Sequence, residues 1–339
     1  ASGVNMKNLT VDNGGKFFTN TSGTNRYINL YGDILNNGII GDGAANDGLC
    51  LNIEAANTTI SGSGVTDLAR IRKNTATVLN STLTIAKDVN LRFSGTAFYN
   101  GAAAQFNLNI NSGKTLNVIG SNGADGDFAI DGTGGLSGTT SRGLVTVNGT
   151  LTVSNILRAQ SDNSAPTSGI TVTNGGIINA KTIYTDLAIG SSPFVFDIQS
   201  GATLNVYNAL HLRSGAFNPS GQVILHSTAD NQCAYIDNYS SGYTGTVGTI
   251  TSQRFVPDAG FNQHFISSPI ANTNFSAIGA VTGTDNVFIT PSASCDENNL
   301  AVGSNYGNFF EWVESNVGGA CILNGWKVKS AGTLANAKG

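Results

Sequence analysis

The sequence predicts an all-β chain: a parallel β-helix (a solenoid) over residues 1–248, then a small β-sandwich-like domain over 249–339. Three observations predict it. First, one phrase keeps returning, made of an alternating strand, a polar-Gly corner and a second alternating strand. It reads Val-Thr-Val-Asn-Gly-Thr-Leu-Thr-Val at 145–153 and Ile-Thr-Val-Thr-Asn-Gly-Gly-Ile-Ile-Asn-Ala at 170–180. Variants stand at 196–206 and 106–118. Second, Gly149, Gly175 and Gly201 are spaced 26 and 26 apart, and a fixed period in this range marks stacked repeats. Third, the hydrophobic period is two rather than 3.6 almost throughout.

The elements follow in order. Strand pairs begin near Leu9, Ile28, Leu49, Val78, Phe106, Val145, Ile170, Phe196 and Gln222, about nine coils in all. Corners fall at Asn13-Gly14, Asn37-Gly38, Ser112-Gly113, Asn148-Gly149, Asn174-Gly175 and Ser200-Gly201, residues that accept a left-handed backbone or form side-chain turns. Short strands joined by turns also suit an antiparallel sandwich or a propeller. The return of one phrase in one orientation selects the parallel helix. Coils about 4.8 Å apart would make a stack of roughly 40 Å. Val147, Val172 and Ile198 are expected to face inward, with Thr, Asn and Asp outside. Gly113 and Gly149 are 36 apart, so the Gly-rich stretch Ser121 to Arg142 is expected to protrude as a loop. Beyond Thr228 the pattern changes. Phe288, Tyr306, Phe309, Phe310, Trp312 and Trp326 crowd together, and the two Trp are expected to fill the core of the second domain.

Composition narrows the function classes. Charged residues make up 11% of the chain, against about 25% in an average domain. With 43 Gly but 40% hydrophobic residues, a core can be buried. The net charge of −4 offers no basic footprint for nucleic acid. No run of 18 apolar residues predicts a membrane span, and no secretory leader is visible at Ala1, so the numbering is expected to begin at or within a mature chain.

A resemblance adds lineage. Gln253-Arg-Phe-Val-Pro257, followed by Phe265-Ile-Ser-Ser-Pro269, resembles a segment common in secreted surface proteins of the Bacteroidota. Those proteins continue to a Trp-containing strand and a Leu-x-x-Gly-Lys-Gly-Tyr phrase. Trp326 and Leu334-Ala-Asn-Ala-Lys-Gly339 are similar, with Ala337 where Gly is usual. The repeats before it resemble Asn/Gly/Thr-rich, adhesin-like β-helices of the same bacteria. The resemblance implies type IX secretion, an extracellular location on the cell surface or in a released fibre, and a longer parent chain.

Candidate chemistry is sparse. β-Helical polysaccharide lyases and hydrolases need clustered carboxylates, or a basic residue with calcium, on one outward face. The register of the 21 acids supplies no such line. His211 reads as outward between Leu210 and Leu212, His226 follows an apolar run, and His264 lies in the second domain. His211 and His226 are 15 apart, which is not one coil, so they should not stack as a pair. Asp125, Asp127 and Asp131 form a Gly-rich acidic run that is a candidate calcium loop, since hard cations take several carboxylate and carbonyl oxygens from a bendable backbone. It lacks the EF-hand order, and its plain reading is solvated turns. Asp42 and Asp47 form a smaller cluster of the same kind. Thr150-Leu-Thr152 and Thr171-Val-Thr173 do not extend into an ice-binding ladder, because the next phrase reads Asp197-Ile-Gln199. No other cofactor is indicated.

The four cysteines divide. Cys295 and Cys321 share the second domain and are expected to form a disulfide. Cys50 and Cys233 are about seven coils apart, roughly 30 Å, beyond the ~7 Å Cα limit of a disulfide. Cys50 alternates with Leu49, Leu51 and Ile53 and so reads as outward. Cys50 and Cys233 are therefore candidate intermolecular thiols, or half-buried free ones, and Cys233 could also join the cysteines of the second domain.

The end coils of a solenoid expose strand edges that need covering. The expected function is a non-catalytic structural subunit of an extracellular fibre. Copies of itself would be its partners, the small domain of one stacking head to tail on the first coil of the next. The alternatives are a monomeric cell-surface adhesin that binds extracellular glycans and, third, a polysaccharide-degrading enzyme.

Overall fold

The computed structural model describes residues 3–18, 26–41, 48–75, 77–93, 95–100, 104–120, 126–129, 143–161, 169–187, 195–212, 216–229, 232–238, 249–253, 310–312 and 326–328. The chain divides into two compact units, Ala1–Pro257 and Asp258–Gly339.

The first unit is a parallel β-helix with three faces. Face 1 is a nine-stranded parallel sheet that takes one strand from each coil, from Leu9–Val11 through Asn80–Ile85 to Ala216–Pro219. Its register builds one inward column: Leu9, Ile34, Ile60, Ile85, Ile110, Val147, Val172, Ile198. All eight are buried, and the three inward positions predicted from the repeat lie in this column. Each coil stacks like on like because the side-chain period of two leaves every second residue inside.

Faces 2 and 3 form one continuous 17-stranded sheet, because Thr150–Ser161, Ile177–Leu187 and Thr203–Leu212 each run around the corner between them. The corner is turned by register shifts, at Val153/Ile156 and again at Ala180/Thr182. Such bulges bend a strand without ending it. Face 3 carries a second inward column: Ile28, Leu51, Ile71, Phe98, Phe128, Leu157, Ile183, Leu210.

The Gly corners are of two kinds. Gly14, Gly113, Gly175 and Gly201 have φ between 67° and 81°, each as the third residue of a turn closed by a backbone bond such as Gly176 N–H to the Thr173 carbonyl at 2.8 Å. Gly64 is needed for closeness instead: a Cβ there would run into the Gly38 carbonyl of the coil below.

Two expectations are corrected. The stretch from Ser121 to Arg142 holds a core strand, Gly126–Ala129, rather than loop alone. Phe128 is fully buried, and its ring stacks on Phe98 at 4.6 Å. The surrounding Gly and Asp concealed this short run. The β-helix also continues past 248, since Thr249–Ser252 pairs in parallel with Gln222–Leu225. In the second unit the described residues are two antiparallel strands, Phe310–Trp312 and Trp326–Val328, with Trp312 opposite Trp326.

Candidate functional site

The outer side of face 3 gathers the aromatic and charged side chains. At its late end the register lines up Arg158, Tyr184, His211 and Asp237, one per coil. The His211 ring lies flat on Tyr184, with centroids 4.3 Å apart and planes within 6°. Its Nδ1 is 3.1 Å from Asp237 Oδ2. Tyr235 meets the imidazole edge-on at 5.9 Å and is 50% exposed. The Arg158 guanidinium lies 5.9 Å from the Tyr184 ring centroid. At the adjoining corner His226 stacks on Tyr207 at 4.4 Å, and its Nε2 is 2.9 Å from Asn205 Oδ1.

His211 thus keeps its outward backbone position but is buried beneath the rings of Tyr184 and Tyr235. The spacing of 15 between the two His does separate them into different columns. The partners were legible in the period: Tyr184 is one coil before His211 and Asp237 one coil after, 26 residues on. Chemically the group offers an exposed phenol ring, an imidazole oriented by a carboxylate, and neighbouring amides. That is equipment for stacking and hydrogen bonding to a polar ligand.

At the early end the outer side carries a side-chain ladder. Asn29 donates to Asn5 at 2.8 Å, Asn52 to Asn29 at 2.7 Å, Arg72 Nε to Asn52 at 2.7 Å, and Arg72 to the Tyr99 hydroxyl at 2.8 Å. Cys50 pairs in register with Tyr27 on one side and Arg70 on the other. The Arg72 guanidinium closes over the Tyr27 ring at 4.1 Å. This overturns the outward, accessible reading of Cys50, which is a free cysteine with no exposure. Alternation gave its face correctly, but the long side chains beside it cover the thiol. Burial pushes its pKa up from 9.0 to about 11, against the opposing pull of Arg70 and Arg72. Such a thiol is a poor nucleophile and a poor partner for an intermolecular bridge.

Of the acidic run, Asp127 lies on the strand Gly126–Ala129. Its Oδ1 accepts from Asn155 Nδ2 at 2.7 Å and from the Ile156 backbone N–H at 3.2 Å, closing the bulge at the corner. Asp125, Asp131, Asp42, Asp47, His264, Cys295 and Cys321 lie outside the described residues. The backbone of Cys233 sits in the strand Gln232–Cys233, which pairs antiparallel with Ser227–Ala229. The Thr ladder stops at Asp197, which pairs with Thr171 as the sequence suggested, but Thr150 and Thr152 belong to the other sheet, opposite Ile177 and Asn179, and it is Thr146 that pairs with Thr171. No helix of the described residues is long and apolar enough to cross a membrane. Comparison of the chain with protein-family models, with curated proteins and with solved structures finds no match.

Proposed function

We propose that this chain is a non-catalytic structural protein of an extracellular surface fibre, built by addition of copies through the open edge of the first coil. The parallel β-helix is an architecture that suits a structural or adhesive protein. One observation carries the finer reading. Among the described residues, Val4–Met6, Leu9–Val11 and Lys16–Phe17 each pair on one side only, with the next coil, and Val4 is 61% exposed. Unpaired strand edges above a continuous apolar column are a template for another chain. A second copy satisfies those backbone groups and extends the columns, and a heterologous contact of this kind propagates. Export by type IX secretion belongs to the same proposal and rests on the residues around Gln253–Pro257 and Phe265–Pro269. The buried Cys50 has no part in the joint.

Negative-stain electron microscopy of the purified chain tests this. Filaments are expected, and Asn5→Pro together with Thr10→Pro, which remove donors from the edge, should abolish them. Single particles from the unaltered chain at high concentration reject the fibre. They would favour the second reading, a monomeric glycan-binding adhesin, which the exposed Tyr235 beside His211 and Asp237 supports. Retention on a polysaccharide column that is lost in Tyr235→Ala is the corresponding check.

A further inference from the structure

Inside the early coils stands a trio that the proposed function does not use. Lys73 and Asn100 are register partners on neighbouring parallel strands, Arg70–Lys73 and Gly95–Asn100. Both are fully buried. They share the parity of Ile71 and Phe98, which are inward, so both side chains lie on the interior side of face 3. The coil below supplies Glu54, also buried, with Oε2 3.7 Å from Lys73 Nζ. Lys73 Nζ donates to the Ile53 carbonyl at 3.1 Å, and Thr75 donates to Glu54 Oε2. Glu54 Oε1 is buried and has no hydrogen-bond partner.

Burying a lysine this completely is costly, and a hydrophobic replacement of the whole pair would often be no worse. The cost is intelligible if the amine is a reactant. We propose that Lys73 and Asn100 become joined by an intramolecular isopeptide bond, with Glu54 as the proton carrier. Asn100 Nδ2 donates to the Ala104 carbonyl at 2.6 Å, so the reaction requires both side chains to turn from these carbonyls toward each other, across adjacent strands about 4.8 Å apart and within the reach of a four-carbon stem. Glu54 takes a proton from the Lys73 ammonium. The freed Nζ lone pair attacks Asn100 Cγ and forms the new C–N bond. Glu54 hands that proton to Nδ2 and takes the surplus proton from the attacking nitrogen; the old Cγ–Nδ2 bond breaks, and the departing ammonia takes the proton from Glu54 and leaves as ammonium. The carboxylate is regenerated, and no oxidant or reductant takes part. Burial lowers the pKa of Lys73, which favours the neutral amine that the attack requires, although Glu54 pulls the other way. Ile53, Ile71 and Phe98 keep the surroundings dry, so water does not compete for Cγ. The bond would rivet two coils of the solenoid together. It stands independently of whether fibres form.

Intact mass and peptide mapping of the full chain decide this. The mass is expected to fall short of the sequence by one ammonia, and digestion should yield one branched peptide containing both Lys73 and Asn100. Glu54→Gln and Lys73→Arg should each restore the full mass while far-ultraviolet circular dichroism stays β-rich. An ammonia loss mapped instead to an Asn-Gly corner, such as Asn174-Gly175, would be succinimide formation and would overturn the proposal. So would Lys73 and Asn100 appearing in separate peptides of the wild-type chain after prolonged incubation, a result that does not depend on any variant folding.

Discussion

The early and late coils share one fold but fill it differently. From Val145 to Leu225 the inward columns are mostly aliphatic or aromatic, as in Val147, Val172, Ile198 and Leu157, Ile183, Leu210, with Thr185 the buried exception beside Leu212. Between Asn36 and Asn100 the buried set includes Asn36, Glu54, Thr58, Thr66, Lys73, Ser81, Lys87 and Asn100. Coil length differs in parallel. Late cross-coil bonds span 26 residues at Asn179–Asn205, Thr182–Asn208 and His211–Asp237. Early ones span 23 at Asn29–Asn52, 20 at Asn52–Arg72 and 27 at Arg72–Tyr99. A coil of constant length stacks in register on apolar surface alone. A coil of varying length displaces its neighbours along the strand, and specific hydrogen bonds hold the alignment. Lys87 does this at the corner between faces 1 and 2. It donates to the Gly64 carbonyl and, at 2.8 Å, to Thr66 Oγ1, which also receives Asn36 Nδ2 at 2.9 Å.

The largest effect is expected in the late half. Phe196 is fully buried, follows Ile170 in its column and packs on Phe217 at 5.5 Å. Phe196→Ala should cost about 3–5 kcal/mol in chemical denaturation, because the rigid ladders on either side cannot collapse into the space. A loss under about 1 kcal/mol would mean that this core is loosely packed and would remove the contrast drawn above.

Cys50 in the early half gives the next effect. Its thiol is protonated more tightly in the folded than in the unfolded chain, from 9.0 to about 11. Its contribution is complete below pH 9 and is lost as pH rises through 11. The shift corresponds to about 3 kcal/mol. Stability of wild type relative to Cys50→Ala should therefore fall over that window, and a flat difference would show the thiol to be hydrated. The buried Lys87 opposes it. Burial lowers the pKa of Lys87, so the unfolded chain binds its proton more readily, and stability rises as pH climbs toward the ordinary value of 10.5. Lys87→Met should remove that rise, leaving the decline caused by Cys50 steeper.

These differences also explain what could be read in advance. The late coils announced themselves because Gly149, Gly175 and Gly201 keep one spacing and the inward positions of their repeats are almost all apolar. Register there was a matter of adding 26. Between 54 and 105 the spacing drifts, and Lys73 and Lys87 stand at inward positions that alternation assigns to apolar residues. The cover over Cys50 was illegible for another reason. It depends on residues of two other coils, Tyr27 and Arg70 beside it in register, and on which way long side chains such as Arg72, which lies over the Tyr27 ring, lean. The Tyr184–His211–Asp237 line was within reach, since it asks only which residue stands one coil away.

Smaller again is the loss expected at Asp127, the corner device between the two halves. Its Oδ1 satisfies the Ile156 N–H where the register shifts. Asp127→Ala should cost about 1–3 kcal/mol, since it strands a backbone donor at a half-buried bulge. Asp127→Asn keeps a carbonyl oxygen in place and should recover most of that loss. Were the carboxylate a calcium ligand instead, the unaltered chain would gain stability on adding calcium, and Asn would not rescue.

The smallest effect is expected on the outer side of face 1. Thr146 and Thr171 pair with each other across the coils and stop at Asp197. Neither carries the packing that fixes the inward columns. Thr146→Val and Thr171→Val should each stay within about 0.5 kcal/mol of wild type, as surface substitutions between good strand formers do. The contrast with Phe196, one residue and one face away from Asp197, is the sharpest test of the arrangement. A large effect at Thr171 would require something to cover that face, and the obvious source is a neighbouring copy. Measuring Thr171→Val at two protein concentrations separates the cases: an intrinsic effect stays constant, whereas one that comes from assembly grows with concentration.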